Sequence, residues 1–151
     1  MYNLRIMKKS AIEKINIDND LPKIKEAPII WGGGSMLIPH PKEVLQVIHM
    51  IPYGKILTLD EIRIKLAKKH HVDITCPMTT GIFVLLAAQA HDEDSIHVSY
   101  WRILKKNGEL NSKFPGGIET HKKNLIIEGH TMHSKANRLF LKNYQDKLYH
   151  E

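Results

Sequence analysis

The stretch TLDEIRIKLAKKHHVDITCPMTTGIFVLLAAQA, residues Thr58 to Ala90, decides the reading of this 151-residue chain. Its first half places Asp60 and Glu61 early, Ile62, Leu66 and Ala67 at helical spacing, and Lys65, Lys68 and Lys69 late. Acids first and bases last suit the dipole of a helix, and a helix is predicted there. After a loop from His70 to Cys76, Pro77 opens a second helix, apolar on nearly all sides and reaching about Ala90. Two helices joined by a short loop, the second packed deep, read as a helix-turn-helix pair.

Working outward toward the C-terminus, Val98 to Leu104 is predicted as a strand, Asn107-Gly108 as a hairpin turn, and Glu109-Leu110 as the returning strand. A helix-turn-helix followed by a hairpin gives the expected fold: mainly α with small β, a winged helix-turn-helix. In such a strand Tyr100 and Arg102 share one face and Trp101 takes the other. Lys113-Phe114-Pro115-Gly116-Gly117 reads as a loop, Ile118 to Glu128 as a helix ended by Gly129, and Thr131 to His133 with Arg138 to Leu141 as a terminal hairpin. Toward the N-terminus, Pro41 starts a helix with the apolar stripe Val44, Leu45, Val47 and Ile48, stopped by the turn Pro52-Tyr53-Gly54-Lys55. Met36 to Ile38 is extended, Gly32-Gly33-Gly34-Ser35 is a flexible break, and Met1 to Ile30 reads as an irregular arm. The expected division is an arm over 1–35, a winged-helix domain over 36–130 and a hairpin and tail over 131–151.

Lys and Arg number 22 against 16 Asp and Glu, a formal +6, and the excess is local. Tyr100 to Lys123 holds six basic residues and two acids, whereas Pro77 to Ser99 holds only the acids Asp92, Glu93 and Asp94. One basic face follows, and such a face attracts polyanions such as nucleic acid. With 42% hydrophobic residues the chain is that of a globular domain and not a disordered one. No apolar run approaches the roughly 20 residues that span a bilayer, and Met1 to Arg5 carries no secretory pattern, so no membrane and a cytoplasmic address are expected. Cys76 is the only cysteine, so no internal disulfide forms. None of the ten histidines has a convincing ligand spacing, and neither a metal nor a cofactor is expected. Cys76, just before Pro77 at a helix start, reads either as a thiol favoured by the helix dipole or as a small apolar loop residue.

The order of motifs resembles the DNA-binding domain of alkylguanine-DNA alkyltransferases. Ile51-Pro52-Tyr53-Gly54-Lys55, Thr58, Glu61-Ile62, the apolar helix, Arg102 after an aromatic, Asn107-Gly108-Glu109-Leu110, Gly116-Gly117 and Lys122 to Gly129 carry the likeness, over about Pro41 to Gly129. The resemblance implies a winged helix-turn-helix that enters the minor groove, flips an alkylated guanine out of the stack and transfers the alkyl group to a cysteine. The family's Pro-Cys-His-Arg motif falls on Ser99, Tyr100, Trp101 and Arg102, so Tyr100 stands for the nucleophile and Trp101 for its base. No catalytic residue remains for that route. Loss of the acceptor cysteine is similar to alkyltransferase-like proteins, which bind the lesion without repairing it and present it to excision-repair proteins. Thr79 or Thr80 stands where the family carries an inserted Arg, and Leu59 where it carries a Tyr.

The expectation is therefore a non-enzymatic, alkyltransferase-like protein on double-stranded, alkylated DNA. Thr79 and Thr80 lie near the backbone, Tyr100, Trp101 and Arg102 line the remnant pocket, Lys105, Lys106 and Lys113 meet phosphates, and Gly116 and Gly117 shape the loop. Tyr53 and Glu128 support the pocket. The alternatives are a general DNA-binding or regulatory module without lesion specificity, an enzyme using Cys76 as a displaced acceptor, and a protein-interaction role that has lost DNA.

Overall fold

A computed structural model describes residues 9–151 of the chain. Five α-helices, seven short strands and several 3-10 turns follow one another in these residues. They are α1 (Ala11–Asn16), β1 (Lys23–Glu26), β2 (Ser35–Ile38), α2 (Pro41–Met50), β3 (Leu57–Thr58) and α3 (Leu59–His70). The chain continues with β4 (Ile74–Thr75), α4 (Pro77–Asp92), β5 (Ile103–Leu104), α5 (Gly117–Ile127), β6 (Met132–Lys135) and β7 (Arg138–Leu141).

The helix pair seen in the sequence is present as α3 and α4. α3 ends at His71, whose positive φ of 55° closes the last turn through hydrogen bonds to Ala67 and Lys68. Its apolar stripe, Ile62 and Leu66, enters a core shared with Val44, Val47 and Ile48 of α2 and with Val84, Ala87 and Ala88 of α4. α4 is buried along most of its circumference and shows solvent mainly Met78, Ile82 and Gln89.

Three expectations are corrected. The N-terminal stretch is not irregular over its described part. Ser10 caps α1 in a reciprocal capping box with Glu13, and Ala11 and Ile15 pack against Leu86 and Ala90 of α4. β1 pairs antiparallel with β2 from Lys23↔Ile38 to Glu26↔Ser35, and β2 pairs parallel with β4, so the triple glycine is the turn of a hairpin. The remainder of that stretch, 1–8, lies outside the described residues.

Val98 to Leu104 is not one strand. The Val98 amide donates to His91 Nδ1 at 3.0 Å, the Tyr100 amide donates to the Val98 carbonyl at 2.8 Å, and Tyr100–Arg102 forms a 3-10 turn. Only Ile103–Leu104 is extended, and it pairs parallel with Leu57–Thr58. The Asn107-Gly108 hairpin is likewise replaced. A tight turn with Asn107 at φ 63° reverses the chain, closed by the Lys105 amide donating to the Glu109 carbonyl at 2.8 Å. The return segment then leaves β5, because the Leu110 amide donates to Leu139 and Glu109 bridges Phe140. The C-terminal hairpin, antiparallel from Met132↔Leu141 to Lys135↔Arg138, supplies the strand that the return segment joins. A second core of Ile56, Leu104, Leu110, Leu125 and Leu141 lies beneath it.

Candidate nucleic-acid interface

One carboxylate gathers three distant segments. Glu128, just past α5, accepts from Trp101 Nε1 at 2.6 Å, from Arg102 Nε at 3.0 Å and from the Gly54 amide at 2.9 Å. Arg102 Nη1 also donates to the Ile51 carbonyl at 2.7 Å, and the Tyr53 hydroxyl donates to Ile127 O at 2.8 Å. The turn after α2, the 3-10 turn at Tyr100 and the end of α5 are thereby tied together. Burial pushes the Glu128 carboxyl up, but the hydrogen bonds from Arg102, Gly54 and Trp101 outweigh it and hold the group below the ordinary carboxylate value.

Tyr100 does not face an open pocket. It is 3% exposed and its ring meets Phe114 edge-on at 4.9 Å and Trp101 at 5.4 Å. Because the turn coils, Tyr100 points into the core while Arg102 reaches Glu128, so the two do not share a face. Burial, with the charge of Asp92, raises the phenol above its usual value, and it stays protonated at neutral pH. His121, behind Phe114, donates from Nε2 to the Trp101 carbonyl at 2.9 Å and accepts the Asn111 amide at Nδ1 at 3.1 Å, so both ring nitrogens are engaged. Burial pushes it down to about 4.

His121 is a site residue that sequence reasoning missed. Its signal was the i, i+4 partnership with Leu125 on the inner face of α5, since both are fully buried.

The threonines at the start of α4 are drawn inward. Thr80 is buried and its hydroxyl donates to the Cys76 carbonyl at 2.8 Å, while Thr79 is half-buried with Oγ1 shielded from solvent. Met78 and Ile82 are the side chains on this stretch that reach solvent, 66% and 56% exposed. Cys76 is buried among Ala27 and Met36, its amide donating to Leu37 O at 2.8 Å. Among the described residues no three His, Cys, Asp or Glu side chains are grouped to hold a metal, and no helix is long and apolar enough to cross a membrane.

Lys106 and Lys113 stand in solvent, and Lys105 is 45% exposed with its ammonium 3.7 Å from Glu109. Gly116 and Gly117, both at positive φ, turn the chain into α5. The arrangement can present positive charge and a helix start to a polyanion, and at Tyr100 it holds a buried phenol.

Two solved structures share this architecture. The first is S. pombe Atl1 in complex with damaged DNA containing O6-carboxymethylguanine, with a TM-score of 0.54 and 19% identity over 74% of this chain and 94% of that one. The second is S. pombe ATL in complex with DNA, with a TM-score of 0.57 and 20% identity over the same shares. The chain has the Atl1 fold. No protein-family model and no curated protein sequence matches it.

Proposed function

We propose that this chain is a non-enzymatic, alkyltransferase-like DNA-binding protein that recognises duplex DNA carrying an alkylated guanine and passes it to excision-repair proteins. The observation that carries the reading is the Atl1 fold, one of whose neighbours was solved on damaged DNA and the other on DNA, together with a buried Tyr100 at the position the resemblance gives to the acceptor cysteine. A buried, protonated phenol in place of a thiol leaves alkyl transfer by that route without its nucleophile. Buried Cys76, packed on Ala27, gives the displaced-acceptor alternative no support. In this reading the α3–α4 pair and the turn at Asn107 form the winged helix-turn-helix. Lys105, Lys106 and Lys113 meet phosphates, Gly116-Gly117 brings the start of α5 near the backbone, and Tyr53 and Glu128 brace the Arg102 turn.

A second reading, duplex binding without lesion specificity, is favoured by the edge-to-face contact of Tyr100 and Phe114 and by the lack of any Lys or Arg on α4. A titration of labelled duplexes with and without an O6-alkylguanine, at two salt concentrations, separates them. Lesion recognition requires at least about tenfold tighter binding of the damaged duplex, or roughly 1.4 kcal/mol. Equal affinities decide for the second reading. Movement of a radiolabelled methyl group from DNA to the protein would sink the non-enzymatic claim.

A further inference from the structure

The C-terminal hairpin lies beyond the Pro41 to Gly129 resemblance, yet it is fastened to the basic turn. The Leu110 amide donates to Leu139 O at 3.0 Å, Glu109 bridges Phe140, and the Tyr144 ring lies against Gly108, where an added Cβ would stand 2.8 Å from it. The return segment, β7 and β6 therefore form one slab. At its end, Ala136 and Asn137 turn the hairpin at φ 53° and 60°, with Lys135 before them and Arg138 after. Both side chains are exposed, as is Lys106 on the neighbouring turn.

Asn107, His133, Lys135, Ala136, Arg138 and Phe140 line a shallow groove of about 320 Å³ between the two turns. Arg138 holds Glu109 in a two-pronged pair, Nε to Oε2 at 2.9 Å and Nη2 to Oε1 at 2.6 Å, which orients the guanidinium and leaves Nη1 for another acceptor. Glu109 also pairs with Lys105, so this one carboxylate faces two cations while Lys106 and Lys135 make no ion pair among the described residues. The His133 ring stacks on Phe140 at 5.6 Å with its planes 17° apart, giving the groove a flat wall.

We propose that the β6–β7 hairpin is a second basic wing, and that Lys135, Arg138 and Lys106 together hold a backbone phosphate of duplex DNA in the groove between the turns. This rests on the DNA-binding reading above and extends it to a segment that reading does not use. A phosphate needs cations from more than one direction, and here they come from two turns whose spacing is fixed by β-pairing. Each phosphate neutralised releases counterions and steepens the dependence of log K on log salt by about 0.9.

The test measures duplex binding of the full chain by anisotropy across a salt series. Lys135→Ala and Lys106→Ala are each expected to flatten the slope, and the double variant to flatten it by up to about 0.9, while Lys25→Ala, on β1, leaves it unchanged. Thermal melts confirm that each variant is folded. A wild-type slope in Lys135→Ala would overturn the second wing while leaving the DNA-binding reading in place. Equal flattening by Lys25→Ala would also overturn it, since general surface charge would then explain the effect. No duplex binding by the wild-type chain would instead remove the reading on which the wing rests.

Discussion

Glu128 is a residue whose removal costs more than its own contacts. Its carboxylate is almost wholly buried and compensates Arg102, which is itself only 14% exposed. Taking away one partner of a buried ion pair leaves the other charge desolvated and unpaired, a penalty of about 3–5 kcal/mol. Glu128→Ala should therefore lower the urea midpoint sharply and shift Trp101 emission to the red, because the indole loses its acceptor. Glu128→Gln keeps the shape and an acceptor oxygen, and should cost about half as much. An unchanged midpoint in Glu128→Ala would mean that Arg102 finds water instead.

At the scale of elements, the start of α5 depends on one glycine. Gly116 sits at φ +79°, and a Cβ there would lie 2.7 Å from Thr120 Cβ. Gly116→Ala thus meets both backbone strain and a collision with the next turn of the helix, and should destabilise the fold by about 1–3 kcal/mol. Gly117→Ala, at φ +70° with open space around it, should cost less. Thermal melts of the pair rank the two effects, and equal losses would show that strain alone acts.

The same scale shows what the sequence could carry. α3 and α4 were legible because their apolar spacing and end charges are local signals, and the terminal hairpin because alternation and a polar turn bracket it. The Tyr100 turn was not, because its shape is set by bonds to distant partners, the His91 ring and Glu128. Asn107-Gly108 does make a turn, but which strand the return segment joins depends on β7, about 30 residues later, and turn chemistry holds no information about that. Of the candidate site, the residue types at Tyr100, Trp101, Arg102 and Glu128 could be read from the resemblance. Their burial could not, since it follows from Phe114 and His121 closing over Tyr100.

Over the whole molecule, buried histidines set how stability responds to acid. His121 falls from 6.5 to about 4 because burial disfavours its charged form, the hydrogen bond to Trp101 acting weakly the other way. His91 and His130 are also lowered, chiefly by burial. In the unfolded chain each takes a proton near 6.5, so between that pH and the folded value the unfolded state binds more protons. The stabilisation is full above about pH 6.5 and is lost as pH falls toward 4. For His121 alone the loss is about 3 kcal/mol, at roughly 1.4 kcal/mol for each pH unit. Glu128 and Glu109 have lowered values too, so their contribution disappears only at still lower pH, through the carboxylate range. Urea midpoints taken from pH 7 to pH 4 should therefore decline steadily before the carboxylates titrate. His121→Gln keeps a donor for the Trp101 carbonyl and an acceptor for the Asn111 amide but cannot take a proton. It should be less stable than the wild type at pH 7 and show a shallower decline, and an unaltered slope would assign the acid sensitivity to other groups.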